Sequence, residues 1–188
     1  MQKPLFSRDL TRSMTAYLQY LISGLTVGAT YGLTALGFTM IYNTTGIINF
    51  AQGEFVMLGG MFSVFFHALG IPLLPAIILA ILAATVVGAL FERLTIRPVK
   101  KAGHIQLIII TIGVSIVVRG LAMLAWGKDT FALPPFTGET PLDFLGASLL
   151  PQNIWILGIT LALLLLMRAF FTKTIYGKAM LACSHDPK

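Results

Sequence analysis

Charge is scarce in this sequence. Only 11% of its 188 residues are Asp, Glu, Lys or Arg, and seven are acids; soluble domains carry about 25% charged residues. With 56% hydrophobic residues and a mean hydropathy of +0.86, the composition is that of an integral membrane protein. The single cysteine, Cys183, allows no internal disulfide and carries no information on redox compartment. No nucleotide-binding G-x-x-x-x-G-K-[ST] loop is present: Gly177-Lys178 lacks the upstream glycine and is followed by Ala179. The chain therefore does not bind ATP in that fashion by itself. H-E-x-x-H, C-x-x-C and G-x-S-x-G are also missing, and His67, His104 and His185 are scattered. Neither a metal site nor enzymatic activity is expected. The net charge of +6 does not signal nucleic acid, because the basic residues sit in short groups between apolar runs. That is the pattern of membrane topology rather than of a phosphate-binding face.

Long apolar runs are plentiful. After a basic lead-in over residues 1–15, the membrane region covers 16–171 in about five segments: Ala16–Tyr42, Ile47–Leu69, Leu73–Phe91, Ile105–Trp126 and Ile154–Phe171. About 20 residues cross a bilayer core. The first run is far longer than the roughly 7–15 residues of a signal-peptide core, so it is read as staying in the protein. Gly24, Gly28 and Gly32 form a stripe on the first segment, and Ala80, Ala84 and Gly88 another on the third. Such stripes let helix backbones approach closely. Between the third and fourth segments lies a hydrophilic loop, Glu92–His104, with Arg93, Arg97, Lys100 and Lys101. Gly127–Asn153 is a second long loop, with Pro134, Pro135, Pro141 and Pro151 and the acids Asp129, Glu139 and Asp143. The positive-inside rule places the basic loop and the tail in the cytoplasm and the Pro-rich loop outside. Three crossings before Glu92 would put the basic N-terminus outside as well; a re-entrant stretch around Asn43–Glu54 would leave two and keep it inside.

The stretch that breaks the apolar pattern is Ile41–Met61. It gathers Asn43, Thr44, Thr45, Asn49, Gln52 and Glu54 with Gly46, Gly53, Gly59 and Gly60. Unpaired polar groups in hydrocarbon cost several kcal/mol, and unwound backbone at membrane depth survives only inside protein or beside a water-filled cavity. A solute or a moving part is expected to meet the membrane region here. Glu54, the only acid between Asp9 and Glu92, either lines a path or is a carboxylate favoured at a helix start by the macrodipole. Asn49 and Gln52 either bond a solute or satisfy backbone freed by the break. Arg119, well inside the fourth segment, is expected to snorkel to the interface, with lining the path or pairing to Glu54 the alternatives. In the tail, a short helix from about Tyr176 would present Ala179, Met180 and Cys183 on one apolar face suited to docking on another protein.

Tyr31–Gly60, YGLTALGFTMIYNTTGIINFAQGEFVMLGG, closely resembles the signature of bacterial inner-membrane permeases of branched-chain amino acid ABC transporters, in particular the first of their two homologous subunits. ERLTIRPVK at Glu92–Lys100 resembles that family's E-R-x-x-x-R-P-x-R/K loop. TIYGKAMLACSHDPK at Thr174–Lys188 resembles its G-x-A-x-R-A loop, with Leu181 where arginine is common. The resemblance implies an all-α polytopic transmembrane bundle, with a re-entrant or broken helix near 43–54. It also implies an N-terminal piece of a longer permease, ending within a cytoplasmic coupling loop at 172–188. Tyr42, Asn43, Asn49, Gln52 and Glu54 are expected at the path or its gate. Tyr176, Gly177, Lys178, Ala179 and Met180 are expected at the coupling surface. The implied partners are a second permease subunit, two ATPase subunits that use the ATP, and a periplasmic solute-binding protein, with membrane lipid around them. The chain itself is expected to bind no cofactor. A similar permease branch carries urea and short amides, and a non-transporting membrane scaffold is the rival class.

Overall fold

The computed structural model describes residues 5–99, 103–138, 140–144 and 147–185. Lys3, Lys100, Lys101, Glu139 and Asp186–Lys188, which entered the charge and tail readings, lie outside the described residues, as do the side chains of Arg8, Arg12 and Cys183. The elements in order are α1 (Leu5–Thr45), α2 (Gln52–Ala68), α3 (Leu73–Phe91), α4 (His104–Trp126), a short hairpin β1 (Leu142–Phe144) and β2 (Ala147–Leu149), α5 (Pro151–Lys173) and α6 (Ile175–His185). Among the described residues, four helical stretches are long and apolar enough to cross a membrane: Met14–Asn43, Leu73–Val99, His104–Trp126 and Pro151–Lys173. The all-α polytopic membrane architecture expected from the sequence is the one observed.

Residues 34–133 belong to one compact unit. At its centre α2 and α3 make an antiparallel hairpin. The turn is set by sequence: Gly70 takes φ +85°, the Gly70 N–H donates to His67 O at 3.0 Å, and the Ile71 N–H donates to Phe66 O at 3.3 Å. These two bonds are the helix-ending pair that a glycine in the left-handed region permits. A ring nitrogen of His67 lies 3.0 Å from Ile71 O, and Pro72 then starts α3. On the stripe of α3 Ala80 is buried while Ala84 and Gly88 are half-buried, and the buried row extends one turn further back to Ala76. Phe55 of α2 meets Phe91 of α3 with ring centroids 5.5 Å apart. Further along α2, Phe62 meets Trp126 of α4 edge-on at 5.5 Å.

The expected interruption near 43–54 is present. Helix α1 stops at Thr45, Gly46 adopts φ +66°, and the chain stays non-helical until α2 begins at Gln52. Helix α2 then lies alongside α3 from the Phe55–Phe91 contact to the connecting turn. At 17 residues it is only about 26 Å long, shorter than the roughly 30 Å hydrocarbon core.

The hydrophilic loop expected at Glu92–His104 is instead largely helical. A π turn over Glu92–Ile96 and a 3-10 turn over Arg97–Val99 continue α3. Pro98 has no N–H to donate and its ring opposes a regular α-helical turn, so the helix changes pitch before it rather than ending at the first charge. Helix α4 then starts at His104, where the Gln106 side-chain oxygen accepts the Gly103 N–H at 3.0 Å.

Residues 1–33 and 134–180 form the second unit. Its hairpin, with Leu142 opposite Leu149, was not anticipated in the Pro-rich loop. Gln19 of α1 donates to Ser148 O at 2.9 Å, while Trp155 of α5 donates to Thr137 at 3.1 Å and packs on Phe136 with ring centroids 5.8 Å apart. Helix α5 begins earlier than the apolar run implied because Pro151 occupies its first turn, where a missing N–H costs nothing. The Gly24–Gly28–Gly32 stripe departs from expectation: a side chain at any of these positions would meet nothing within 4 Å, so no helix of this chain packs there among the described residues.

Candidate functional site

The broken segment is held by one face of α4. Thr111, Ser115 and Arg119 recur every fourth residue, and that spacing stacks them along the helix. Thr111 is fully buried; its hydroxyl accepts the Phe50 N–H at 3.3 Å and donates to Ile108 O at 2.9 Å. Within the break, Asn49 Oδ1 accepts the Ala51 N–H at 3.0 Å, and Asn49 is itself buried. Two backbone donors released by the break are thus satisfied by side chains, as water-free surroundings require.

One turn further on, Glu54 lies in the first turn of α2 and is only 4% exposed. Its Oε1 accepts from Ser115 Oγ at 2.9 Å and from Arg119 Nη2 at 2.6 Å. This corrects the snorkelling expected of Arg119: the guanidinium turns to the carboxylate instead of extending along its own helix. The physical reason is that a charge-assisted bond in apolar surroundings outweighs what an extended arginine recovers at the interface. Glu54 also stands in the first turn of α2, where the macrodipole favours a carboxylate, as the second of its two readings expected.

On the other side of the break lies a cavity of about 410 Å³. It is lined by Ile41 and Thr45 from the end of α1, Ile47 and Asn49 from the break, Gln52 and Phe55 from α2, and Gly88, Phe91, Glu92 and Ile96 from the end of α3 and its π turn. The lining is mostly apolar; Gln52 takes part in it, while its Oε1 is buried away from the open space with no hydrogen-bond partner. Gly37 makes room for this amide: a side chain there would begin 3.1 Å from Gln52 Nε2.

The five residues expected at a path or gate therefore separate. Asn49 and Gln52 line the cavity, Glu54 faces α4 away from it, and Tyr42 and Asn43 are exposed near the end of α1 and line neither feature. Thr111 and Ser115 were missed in the sequence, although the polar period of four ending at Arg119 was there to be seen.

The tail residues adopt the expected helix. Thr174 caps α6, its hydroxyl accepting the Gly177 N–H at 3.0 Å. Tyr176, Lys178, Ala179 and Met180 are exposed, whereas Gly177 is buried against the end of α5. A side chain at Gly177 would begin 2.7 Å from Phe171 Cα and closer still to Phe170 O. Only glycine allows this junction. No group of three His, Cys, Asp or Glu able to hold a metal occurs among the described residues.

The chain is similar to named permeases. It is 32% identical to the high-affinity branched-chain amino acid transport system permease protein BraD of Pseudomonas aeruginosa, 35% to LivH of Salmonella typhimurium and 34% to LivH of Escherichia coli K12. Each match covers 92% of this chain and 60% of the relative, so the chain spans about 60% of the length of these curated relatives. No solved structure matches it. The model of the family described as branched-chain amino acid transport system / permease component matches residues 20–188, and to that family this chain belongs.

Proposed function

We propose that the chain is a permease subunit of a binding-protein-dependent ABC importer that moves branched-chain amino acids across the bacterial inner membrane. The observation that carries this is the unwound segment 46–51 inside an apolar bundle, pinned to α4 on one side and open to a cavity on the other. Broken helices beside cavities are how transporters expose polar groups to a solute within the membrane. The relatives' names supply the solute class. In this scheme a solute-binding protein delivers the amino acid, a second permease subunit completes the path, and two ATPase subunits dock on the exposed face around Tyr176, Lys178, Ala179 and Met180. ATP is hydrolysed by those subunits; this chain contributes no catalytic residue.

The test is uptake in cells lacking their own branched-chain carriers, with the complete protein and the subunits encoded beside it supplied. ATP-dependent leucine uptake competed by isoleucine and valine is expected. Uptake of urea alone would reassign the solute, and no uptake with the protein present in the membrane would leave a scaffold role.

A further inference from the structure

We infer that the cavity between the end of α1, the break and the end of α3 is the subsite that receives the branched aliphatic side chain of the solute, with Gly88 and Phe91 setting the size it accepts. This rests on the proposed permease function and assigns its selectivity to particular residues. At about 410 Å³ the cavity falls within the roughly 300–1,000 Å³ of small-molecule sites. Ile41, Ile47, Phe55, Phe91 and Ile96 give it an apolar body, while polar side chains enter only at a few points: Thr45, Asn49, Gln52 and Glu92.

The lining matches an aliphatic side chain in character, and its apolar residues leave the ammonium and carboxylate of the solute to groups outside the cavity.

Gly88 faces Phe55 across the cavity wall, and a Cβ there would sit 3.9 Å from Phe55 Cε1, an ordinary contact. Valine at this position keeps the wall and fills part of the space. Phe91, packed on Phe55 at 5.5 Å, closes one side, so its truncation enlarges the cavity.

Uptake of radiolabelled leucine, alanine and phenylalanine by the complete transporter is the measurement, normalised to protein in the membrane. Gly88→Val is expected to lower the leucine-to-alanine ratio about tenfold, the scale of one or two methylene groups in an apolar pocket. Phe91→Ala is expected to raise the phenylalanine-to-leucine ratio by a similar factor. If Gly88→Val fails to reach the membrane, Gly88→Ala must shift the ratio in the same direction by a smaller factor. Wild-type leucine uptake together with unchanged ratios in every variant would overturn the subsite while leaving the permease function intact. Absence of leucine uptake by the wild type would overturn both.

Discussion

Replacing Thr111 with valine removes one hydroxyl and almost nothing else. Thr111 is fully buried in α4, and its Oγ1 is the acceptor for the Phe50 N–H at 3.3 Å. Valine preserves the β-branched shape, so no cavity opens and the packing of α4 against the break is kept. What changes is that a backbone donor in the non-helical segment loses its side-chain partner at a part-buried position. An unsatisfied donor costs about 1–3 kcal/mol, the lower end applying where burial is partial, equivalent to a factor of roughly 5 to 150 in a local opening equilibrium. Hydrogen–deuterium exchange of the protein in detergent or nanodiscs, read on peptides covering 46–51, should therefore speed up by that factor in Thr111→Val. Peptides from α5 should be unaffected. Thr111→Ser keeps the hydroxyl and should exchange close to wild type, apart from the loss of a methyl group. If Thr111→Val exchanges like wild type at 46–51, the bond to Phe50 does not hold the break, and the role given to this face of α4 is wrong.

Two further changes probe the same architecture. Arg119→Leu leaves the Glu54 carboxylate buried with Ser115 as its remaining bonded partner, so the variant should accumulate less in the membrane and lose its monodisperse elution in detergent. The double change Glu54→Gln/Arg119→Leu removes the charge as well and should recover both, and a double variant worse than the single would refute the pairing. At the tail, Gly177→Ala sets two effects against each other: alanine favours an isolated helix by about 1 kcal/mol, whereas forcing Cβ against the Phe170–Phe171 backbone costs about 1–3 kcal/mol. Because the obstructing atoms are backbone and cannot rotate away, the clash should win, and trypsin should cut at exposed Lys178 faster than in wild type; slower cutting would show that propensity decides.

Much of this was legible in the residues because long-range order here follows from local rules. Apolar runs of sufficient length marked the helices, and the polar, glycine-containing stretch 43–54 announced the break. What was not legible depended on which face of one helix meets another. The Thr111–Ser115–Arg119 row carries meaning only once α4 lies beside the break, and Arg119 in isolation is equally suited to reach an interface. Glu92 and Arg93 read as a loop because they are charged, yet charged residues are good helix formers, and the helix persists until Pro98 forces a change of pitch. The glycine stripe of α1 failed for the opposite reason: it specifies close approach but not the partner.

The division of the break into a bonded side and an open side has a mechanical consequence. On the α4 side, Thr111, Ser115 and Arg119 hold Phe50 and Glu54 through bonds no longer than 3.3 Å, and any displacement there would leave donors or a carboxylate unpaired in apolar surroundings. On the other side the same segment faces the cavity through Ile47 and Asn49, opposite a mostly apolar stretch of α3 and its π turn at Gly88, Phe91, Glu92 and Ile96, while Thr45 at the end of α1 still holds the Ile47 N–H at 3.2 Å. Apolar contacts can be exchanged for other apolar contacts at little cost, whereas directional bonds cannot. Motion of the end of α3 relative to the break is therefore cheaper than motion of α4 relative to it. Substitutions in the bonded seam should reduce the amount of folded protein without changing which solute is preferred, and substitutions in the cavity wall should change preference with little effect on amount. Uptake ratios and membrane levels measured on the same variants separate the two directly, and a seam variant that shifted the leucine-to-alanine ratio would show that the two sides move together.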